Sequence, residues 1–136
     1  MRDVSAALRV RLSQADAHYG GGLVPGAKLM EMYGDVATEL CIRSDGDEGL
    51  FAGYSSVEFL APLHAGDFVE VRGTITKSGK TSREMSFEAF RDVTPRPDVN
   101  DSAADLLDEA ELVGRATGTC VVKTDRQRGQ RSSSEG

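Results

Sequence analysis

Two carboxylates in the sequence are candidates for acid–base chemistry, and the first of them is Asp35. It lies in a stretch with helical periodicity but is displaced by more than a quarter turn from the apolar stripe of that helix. Glu31 and Glu39 fall four residues before and after it, so three acidic side chains share one helix face. This face is either a solvated charged surface or a binding site for a cation, such as the ammonium group of a substrate.

Glu58 is the second candidate, and it lies in an apolar stretch, LFAGYSSVEFLAP, that predicts a strand with hydrophobic residues on both faces. In strict alternation its own face also carries Leu50, Ala52, Tyr54 and Leu60. A carboxylate in such surroundings is either ion-paired or has a raised pKa, and both are common in active sites. The alternative is an exposed residue at the margin of a sheet. Tyr54 is a candidate substrate-binding residue on this strand.

Three consecutive glycines, Gly20, Gly21 and Gly22, follow His18 and Tyr19 shortly before the predicted helix. Backbone N–H groups and the helix dipole at such a point can polarise an acyl oxygen, and glycine allows a ligand to approach the backbone closely. We therefore take His18 as a candidate catalytic residue, and the tyrosine and glycines as candidate substrate-binding residues. The alternative for the histidine is a structural or solvated side chain in a polar loop.

The segment SGKTSR, at residues 78–83, concentrates positive charge in a chain whose formal net charge is -6. Such a cluster suits a phosphate-bearing ligand such as coenzyme A, although an ordinary solvated hairpin tip would have the same composition. The candidate substrate-binding residues in this segment are Lys80, Thr81, Ser82 and Arg83.

The elements that position these residues follow from hydrophobic periodicity. Alternation at residues 8–12 predicts a first strand, and apolar spacings of three and four from about Pro25 predict a helix of four to five turns that ends before SDGDEG. Further strands are predicted at residues 50–62, 67–77, 82–90 and 112–122, with a turn at 78–80. In the acidic stretch between the last two, Asp101 or Ser102 could cap a short helix from Ala103 to Leu107.

This order of elements predicts an α+β fold, in which an antiparallel sheet of about five strands wraps on one long helix, as in the hot-dog fold. Residues 1–123 form this domain, and residues 124–136 form a polar tail predicted to be disordered or loosely docked. One helix cannot cover five strands and both sheet edges. We therefore expect a homodimer, or an assembly of dimers, that joins two sheets edge to edge and completes the site.

Composition excludes several classes of function. The 136 residues suffice for one domain, and the negative charge argues against nucleic acid as a partner. No apolar stretch is long enough to span a membrane and the N-terminus has no signal sequence, which predicts a cytoplasmic protein that binds no membrane. The two cysteines and two histidines have no metal-ligand spacing, so we expect packed thiols and no metal site.

Seven segments between Leu8 and Val122 have a recognisable pattern: HYGG-x-LV-x-GA, YGDVATEL, DGDEGLF, VEFLAP, AGDF, PDVNDSAAD and GTCVV. Together they resemble the 3-aminobutyryl-CoA ammonia lyase family, to which β-alanyl-CoA ammonia lyase is closely related. The resemblance implies a hot-dog enzyme that reversibly eliminates ammonia from a 3-aminoacyl-CoA to give the 2,3-enoyl-CoA. It also implies that coenzyme A enters as part of the substrate, without metal or organic cofactor. The Ser-rich tail beyond Asp125 departs from the family pattern.

The resemblance also implies roles for the candidate residues. A helix carboxylate does the acid–base work in hot-dog enzymes, and Asp35 occupies the matching stretch, with the glycine loop before it. We expect Asp35 and Glu58 to act as the base and as the group that holds the amine, in either order, while His18 or Tyr19 polarises the thioester carbonyl. The alternatives are an acyl-CoA thioesterase, an enoyl-CoA hydratase and a non-enzymatic acyl-CoA sensor.

Overall fold

The computed structural model describes residues 4–129 and contains one long helix and seven strands. The helix, α1, spans Ala27–Asp45. The strands are β1 (Ser5–Arg11), β2 (Leu23–Val24), β3 (Leu50–Phe59), β4 (Leu63–His64), β5 (Phe68–Ser78), β6 (Ser82–Pro95) and β7 (Ala104–Val121). Short 3-10 turns lie at Gln14–Asp16, Gly20–Gly22 and Thr124–Arg126.

Five of the strands form one antiparallel sheet in the order β1-β5-β6-β7-β3, while β2 and β4 pair separately as a two-stranded ribbon. The helix packs across one face of the large sheet. The predicted α+β hot-dog architecture, one long helix on a five-stranded antiparallel sheet, is therefore confirmed. The sheet has two edges, β1 and β3, and β3 is the longer edge strand.

The core lies between α1 and the sheet, as the helical periodicity predicts. From the helix it takes Leu29, Met32, Tyr33, Val36, Ala37, Leu40 and Cys41, all buried. The helix ends two residues later than predicted, because Gly46 adopts a left-handed conformation (φ 69°) and its N–H donates to the carbonyl of Ile42. Both cysteines are buried free thiols, as expected. Within residues 4–129 no helix is long and apolar enough to cross a membrane.

The short helix predicted from Ala103 to Leu107 does not form. Instead β7 begins at Ala104 and pairs with β6, which continues to Pro95, five residues beyond its predicted end. Cross-strand hydrogen bonds along this long hairpin outweigh the local helix-capping signal. The ion pairs of Arg96 with Asp98 and Asp105 close the end of the hairpin.

Two β-bulges change the register of β3. They fall between Phe51 and Gly53 and between Tyr54 and Ser56, so strict alternation is lost. Phe51, Tyr54 and Val57 are half-buried and pack on the core, with two exposed residues between each pair. Glu58 therefore lies on an exposed face, with 47% of its side chain accessible, and the prediction that it shares a face with Tyr54 is wrong.

The segment after β7 folds back onto the body of the domain. Gln127 Nε2 donates to the carbonyls of Lys80, at 2.7 Å, and Val122, at 3.0 Å. The N–H of Arg128 donates to the carbonyl of Asp45 at the end of α1. Residues 124–129, the first part of the predicted polar tail, are thus held by hydrogen bonds, and residues 130–136 lie outside the described residues.

Candidate active site

An apolar cleft of about 360 Å³ lies at the start of α1, and we call it the helix-start cleft. It lies between the loop before the helix, the first turn of the helix and the end of β3. Its lining includes Tyr19, Gly26, Leu29, Phe59 and Leu60. The cleft combines an apolar wall with the positive end of the helix dipole, an arrangement that suits an apolar acyl group with a polarised carbonyl.

Gly26 shapes one wall of this cleft. A Cβ at this position would lie only 2.5 to 2.9 Å from ring atoms of Phe59, so the phenyl ring rests directly on the backbone at the helix start. Phe59 is 54% exposed although it makes this contact. A side chain larger than glycine at residue 26 would push the ring away and alter the cleft.

The loop before the helix contributes to two cavities. Tyr19 faces the helix-start cleft, and its ring packs edge-on against that of His18, which is exposed. Gly21 and Gly22, both with positive φ, line a second cavity of about 730 Å³. The left-handed backbone conformation of Gly21 and Gly22 (φ 72° and 74°) accounts for glycine at these two positions. A Cβ on Gly20 would meet nothing within 4 Å, so no contact inside the chain requires glycine there.

Asp35 lies on the exposed side of α1, away from the core. Glu31 is ion-paired with Lys28, and Glu39 with Arg43, whereas Asp35 forms no ion pair within residues 4–129. Gly34 is the next residue on the N-terminal side. Glycine in a helix interior costs stability relative to alanine, which suggests that a close contact requires it. A Cβ on Gly34 would meet nothing within 4 Å, so no contact inside the chain requires glycine here. The helix therefore exposes one carboxylate without an ion-pair partner in the described residues, Asp35, next to a glycine with free space around it.

Glu58 is ion-paired, as one of the alternatives predicted. Its two carboxylate oxygens accept from Nε and Nη2 of Arg115 on β7, at 2.8 and 3.2 Å. These hydrogen bonds lower the pKa of Glu58, so the alternative of a raised pKa is wrong. Neither Glu58 nor Asp35 lines the helix-start cleft of its own chain. One chain therefore does not bring the two candidate carboxylates together there.

Two tyrosines lie side by side in the core, and only one has a hydrogen-bond partner. Tyr54 donates from Oη to the carbonyl of Met30 at 3.0 Å and is half-buried. Tyr33 is fully buried and its hydroxyl has no partner, while burial, with a smaller contribution from Tyr54, raises the pKa of Tyr33 to about 12. Helical spacing identified Tyr33 as a core residue but gave no sign of this unpaired hydroxyl.

Arg83 is a structural residue. Its Nε and Nη2 donate to the two carboxylate oxygens of Asp45, both at 2.9 Å, and Nη1 donates to the carbonyls of Gly79 and Ser82. Since the guanidinium is buried and these partners occupy its donors, the predicted contact of Arg83 with a ligand is wrong. Lys80 stays exposed at the hairpin turn, and Thr81 and Ser82 are half-buried beside it.

Comparisons with known proteins give a consistent result. The model of the Thioesterase superfamily matches residues 21–96. A 3-aminobutyryl-CoA ammonia lyase from Acetoanaerobium sticklandii is 57% identical over 125 residues, which cover 92% of this chain and 99% of that protein. The solved structure of β-alanyl-CoA:ammonia lyase from Clostridium propionicum is 39% identical, with a TM-score of 0.93 over 98% of this chain and 95% of that one.

A more distant match is a hexameric thioesterase from Yersinia pestis, 20% identical, with a TM-score of 0.70 over 92% of this chain and 93% of that one. At this identity the likeness concerns the fold alone.

Proposed function

This chain belongs to the Thioesterase superfamily and, within it, to the ammonia lyases of 3-aminoacyl-CoA esters, and we propose how it works from that premise. It is a carbon–nitrogen lyase that reversibly eliminates ammonia from a 3-aminoacyl-CoA of the 3-aminobutyryl or β-alanyl type and gives the 2,3-enoyl-CoA. The observation that carries this function is the identity to the Acetoanaerobium lyase, because it extends over nearly the whole of both proteins.

The elimination needs three things from the protein. A base must remove the proton α to the thioester, hydrogen-bond donors must stabilise the enolate oxygen, and an acidic group must hold the amine as it leaves. We place the thioester in the helix-start cleft, with its oxygen near the start of α1. Tyr19 lines that cleft and His18 packs against Tyr19, which supports a contact of this loop with the acyl group.

The two carboxylates divide the remaining roles. Asp35 has no cation beside it within residues 4–129, so its oxygens are available to accept a proton, and we assign it as the base. The ion pair with Arg115 lowers the pKa of Glu58 and keeps it ionised. Each carboxylate oxygen still has a second lone pair, so we assign Glu58 as the group that accepts hydrogen bonds from the substrate ammonium. Because neither residue lines the cleft of its own chain, the site needs a second copy.

We propose that the chain acts on its acyl-CoA as a homo-oligomer whose unit is a dimer joined along β3. This edge strand has no partner on its outer side within the described residues and exposes Leu50 and Phe59, whereas the other edge strand, β1, carries Arg9 and Arg11. A long apolar edge favours pairing with another strand, and charged side chains oppose it. Two copies joined in this way form a continuous ten-stranded sheet.

Coenzyme A enters this reaction only as part of the substrate, and we propose that no metal or organic cofactor takes part. Proton transfer and enolate stabilisation require only acids, bases and hydrogen-bond donors. The cytoplasmic location stays a prediction from the sequence.

The reverse reaction tests this function against its alternatives. Crotonyl-CoA is incubated with the protein in an ammonium buffer, and the products are separated and identified by mass spectrometry. The lyase forms 3-aminobutyryl-CoA in a reaction that depends on ammonium concentration. Formation of 3-hydroxybutyryl-CoA instead would identify a hydratase, and release of free coenzyme A would identify a thioesterase.

A further inference from the structure

Two cysteines that are far apart in the sequence meet in the core. Cys41 lies on α1 and Cys120 on β7, and both side chains are buried. The thiol of Cys41 donates a hydrogen bond to the sulfur of Cys120, and neither cysteine is part of a disulfide. They are the only cysteines of the chain, and no step of the proposed reaction uses them. We call them the thiol pair.

A neighbouring ion pair holds the helix against the sheet at the thiol pair. In the register of β6 against β7, Arg83 lies directly opposite Cys120. The partner of Arg83 is Asp45, which follows Cys41 by about one helical turn. Because both charged groups are buried and joined by two hydrogen bonds, α1 has little freedom to move away from the sheet here. The two sulfurs therefore stay close together, as disulfide formation requires.

The two thiols are not chemically equivalent. The hydrogen bond from Cys41 lowers the pKa of Cys120, whereas donation of that bond, together with burial, raises the pKa of Cys41. The thiolate is the reactive form of cysteine, so Cys120 is the nucleophile of the pair. Cys41 stays protonated beside it and is placed to attack Cys120 once that sulfur is oxidised.

A thin wall separates the thiol pair from solvent. A cavity of about 310 Å³ lies at the start of β3, and Gly49 and Val121 belong to its lining. A Cβ on Gly49 would lie 3.1 Å from the sulfur of Cys41, so the backbone of this glycine rests directly on the thiol. Its φ of 63° favours glycine and keeps the wall free of a side chain. A molecule as small as hydrogen peroxide therefore needs only a local opening of this turn to reach the sulfurs.

We propose that Cys41 and Cys120 are a modification site, at which a small two-electron oxidant such as hydrogen peroxide converts the thiol pair into an intrachain disulfide. The thiolate of Cys120 attacks one peroxide oxygen, the O–O bond breaks, and the leaving hydroxide takes a proton and becomes water. The sulfur of Cys41 then attacks the sulfenic acid on Cys120. The S–S bond forms, the S–O bond breaks, and the released hydroxide takes the thiol proton of Cys41. Two thiols and one peroxide give one disulfide and two waters.

The disulfide joins the second half of α1 to β7. It closes a loop of about 80 residues, and a cross-link of this length stabilises a domain by restricting its unfolded chain. A reducing thiol reverses the change by thiol–disulfide exchange. The oxidised protein is thus a more stable form of the same domain, and it returns to two free thiols under reducing conditions.

Intact mass spectrometry tests the modification. The reduced wild-type protein is treated with hydrogen peroxide, unfolded in the presence of iodoacetamide and weighed. We expect a loss of two hydrogens, about 2 Da, without alkylation, and two alkylated thiols after treatment with dithiothreitol. On a non-reducing gel the oxidised chain should run as a monomer. Two free thiols after oxidation, a sulfinic acid, or a disulfide between two chains would overturn the proposal.

Single serine variants separate the roles of the two sulfurs. Cys41→Ser leaves the nucleophile without its partner, so peroxide should produce a sulfenic acid on Cys120 that dimedone traps. Cys120→Ser removes the nucleophile, and its remaining thiol should react at least tenfold more slowly. Alanine variants give the same comparison if a buried serine prevents folding. Equal reaction rates of the two variants would overturn the assignment of Cys120 as the nucleophile.

Thermal unfolding tests the effect of the cross-link. Oxidised wild-type protein should melt roughly 5–15 °C above the reduced protein, and dithiothreitol should remove the difference. The matched control is Cys41→Ser/Cys120→Ser, or its alanine counterpart, treated with peroxide in the same way. Its melting temperature should not change, which excludes an effect of the four methionines. An unchanged or lower melting temperature of a protein whose mass shows the disulfide would refute the stabilising role.

The access path at Gly49 has its own test. Glutathione disulfide also oxidises thiols but is too large to pass through a local opening of one turn. The ratio of the oxidation rate with peroxide to that with glutathione disulfide should be at least tenfold higher for the native protein than for the chain unfolded in urea. Equal ratios would show that the thiols react only after extensive unfolding, and this result would exclude the path.

Discussion

The buried ion pair between Arg83 and Asp45 has a measurable consequence for stability. Replacing Arg83 with Met keeps an unbranched apolar stem of similar shape but removes the guanidinium. Asp45, whose side chain is only 6% exposed, then loses both of its hydrogen-bond donors, and the carbonyls of Gly79 and Ser82 each lose one. Breaking a buried pair in this way costs about 3–5 kcal/mol, because an uncompensated charge stays buried. For a domain of this size the melting temperature should fall by roughly 10–20 °C.

Two assays decide between a structural and a ligand-binding role for this arginine. Urea unfolding followed by circular dichroism gives the loss of stability, and steady-state kinetics below the melting temperature gives KM for the coenzyme A ester. We expect Arg83→Met to be strongly destabilised with a near-normal KM. The double variant Arg83→Met/Asp45→Leu, which removes the orphaned charge, should recover much of the stability. A variant of wild-type stability with a tenfold higher KM would refute the structural assignment.

Three further substitutions test other parts of the structure. Tyr33→Phe removes a buried hydroxyl that has no partner, so unfolding experiments should find equal or slightly higher stability, and a fall of several degrees in melting temperature would contradict this. Gly26→Ala should lower stability and catalytic efficiency together, because the new Cβ would collide with the ring of Phe59; wild-type values of both would show that the contact is unimportant. Asp35→Asn should reduce kcat more than about a hundredfold, as loss of the general base predicts, with a nearly unchanged melting temperature, and normal turnover would exclude Asp35 as the base.

Local patterns in the sequence were sufficient for most of the fold. The period of α1 and the alternation in β1, β5 and β6 reflect burial on one face, which each segment encodes by itself. The failures involve partners distant in the chain. The stretch from Ala103 to Leu107 has a local capping signal, but pairing with the extension of β6 decides its conformation. The bulges of β3 depend on its fit against β7, which alternation alone does not reveal.

The candidate site was less predictable, for the same reason. Lys80 and Arg83 are neighbours in the sequence and look equivalent, yet Asp45, 38 residues before Arg83, binds one and not the other. Similarly, Lys123 and Arg126 lie next to a tail with almost no apolar residue, and only the hydrogen bonds of this segment to the hairpin turn show that they belong to a folded surface. Charge type is visible in a sequence, but whether a charge is already neutralised is not.

The products formed from 3-aminobutyryl-CoA are the decisive measurement of whether this chain is an ammonia lyase. Ammonium, 2,3-enoyl-CoA and free thiol are measured in one reaction mixture with the purified wild-type protein. We expect ammonium and enoyl-CoA to appear in equal amounts, without release of thiol. Release of free thiol without ammonium would exclude the lyase reaction and would identify the protein as a thioesterase.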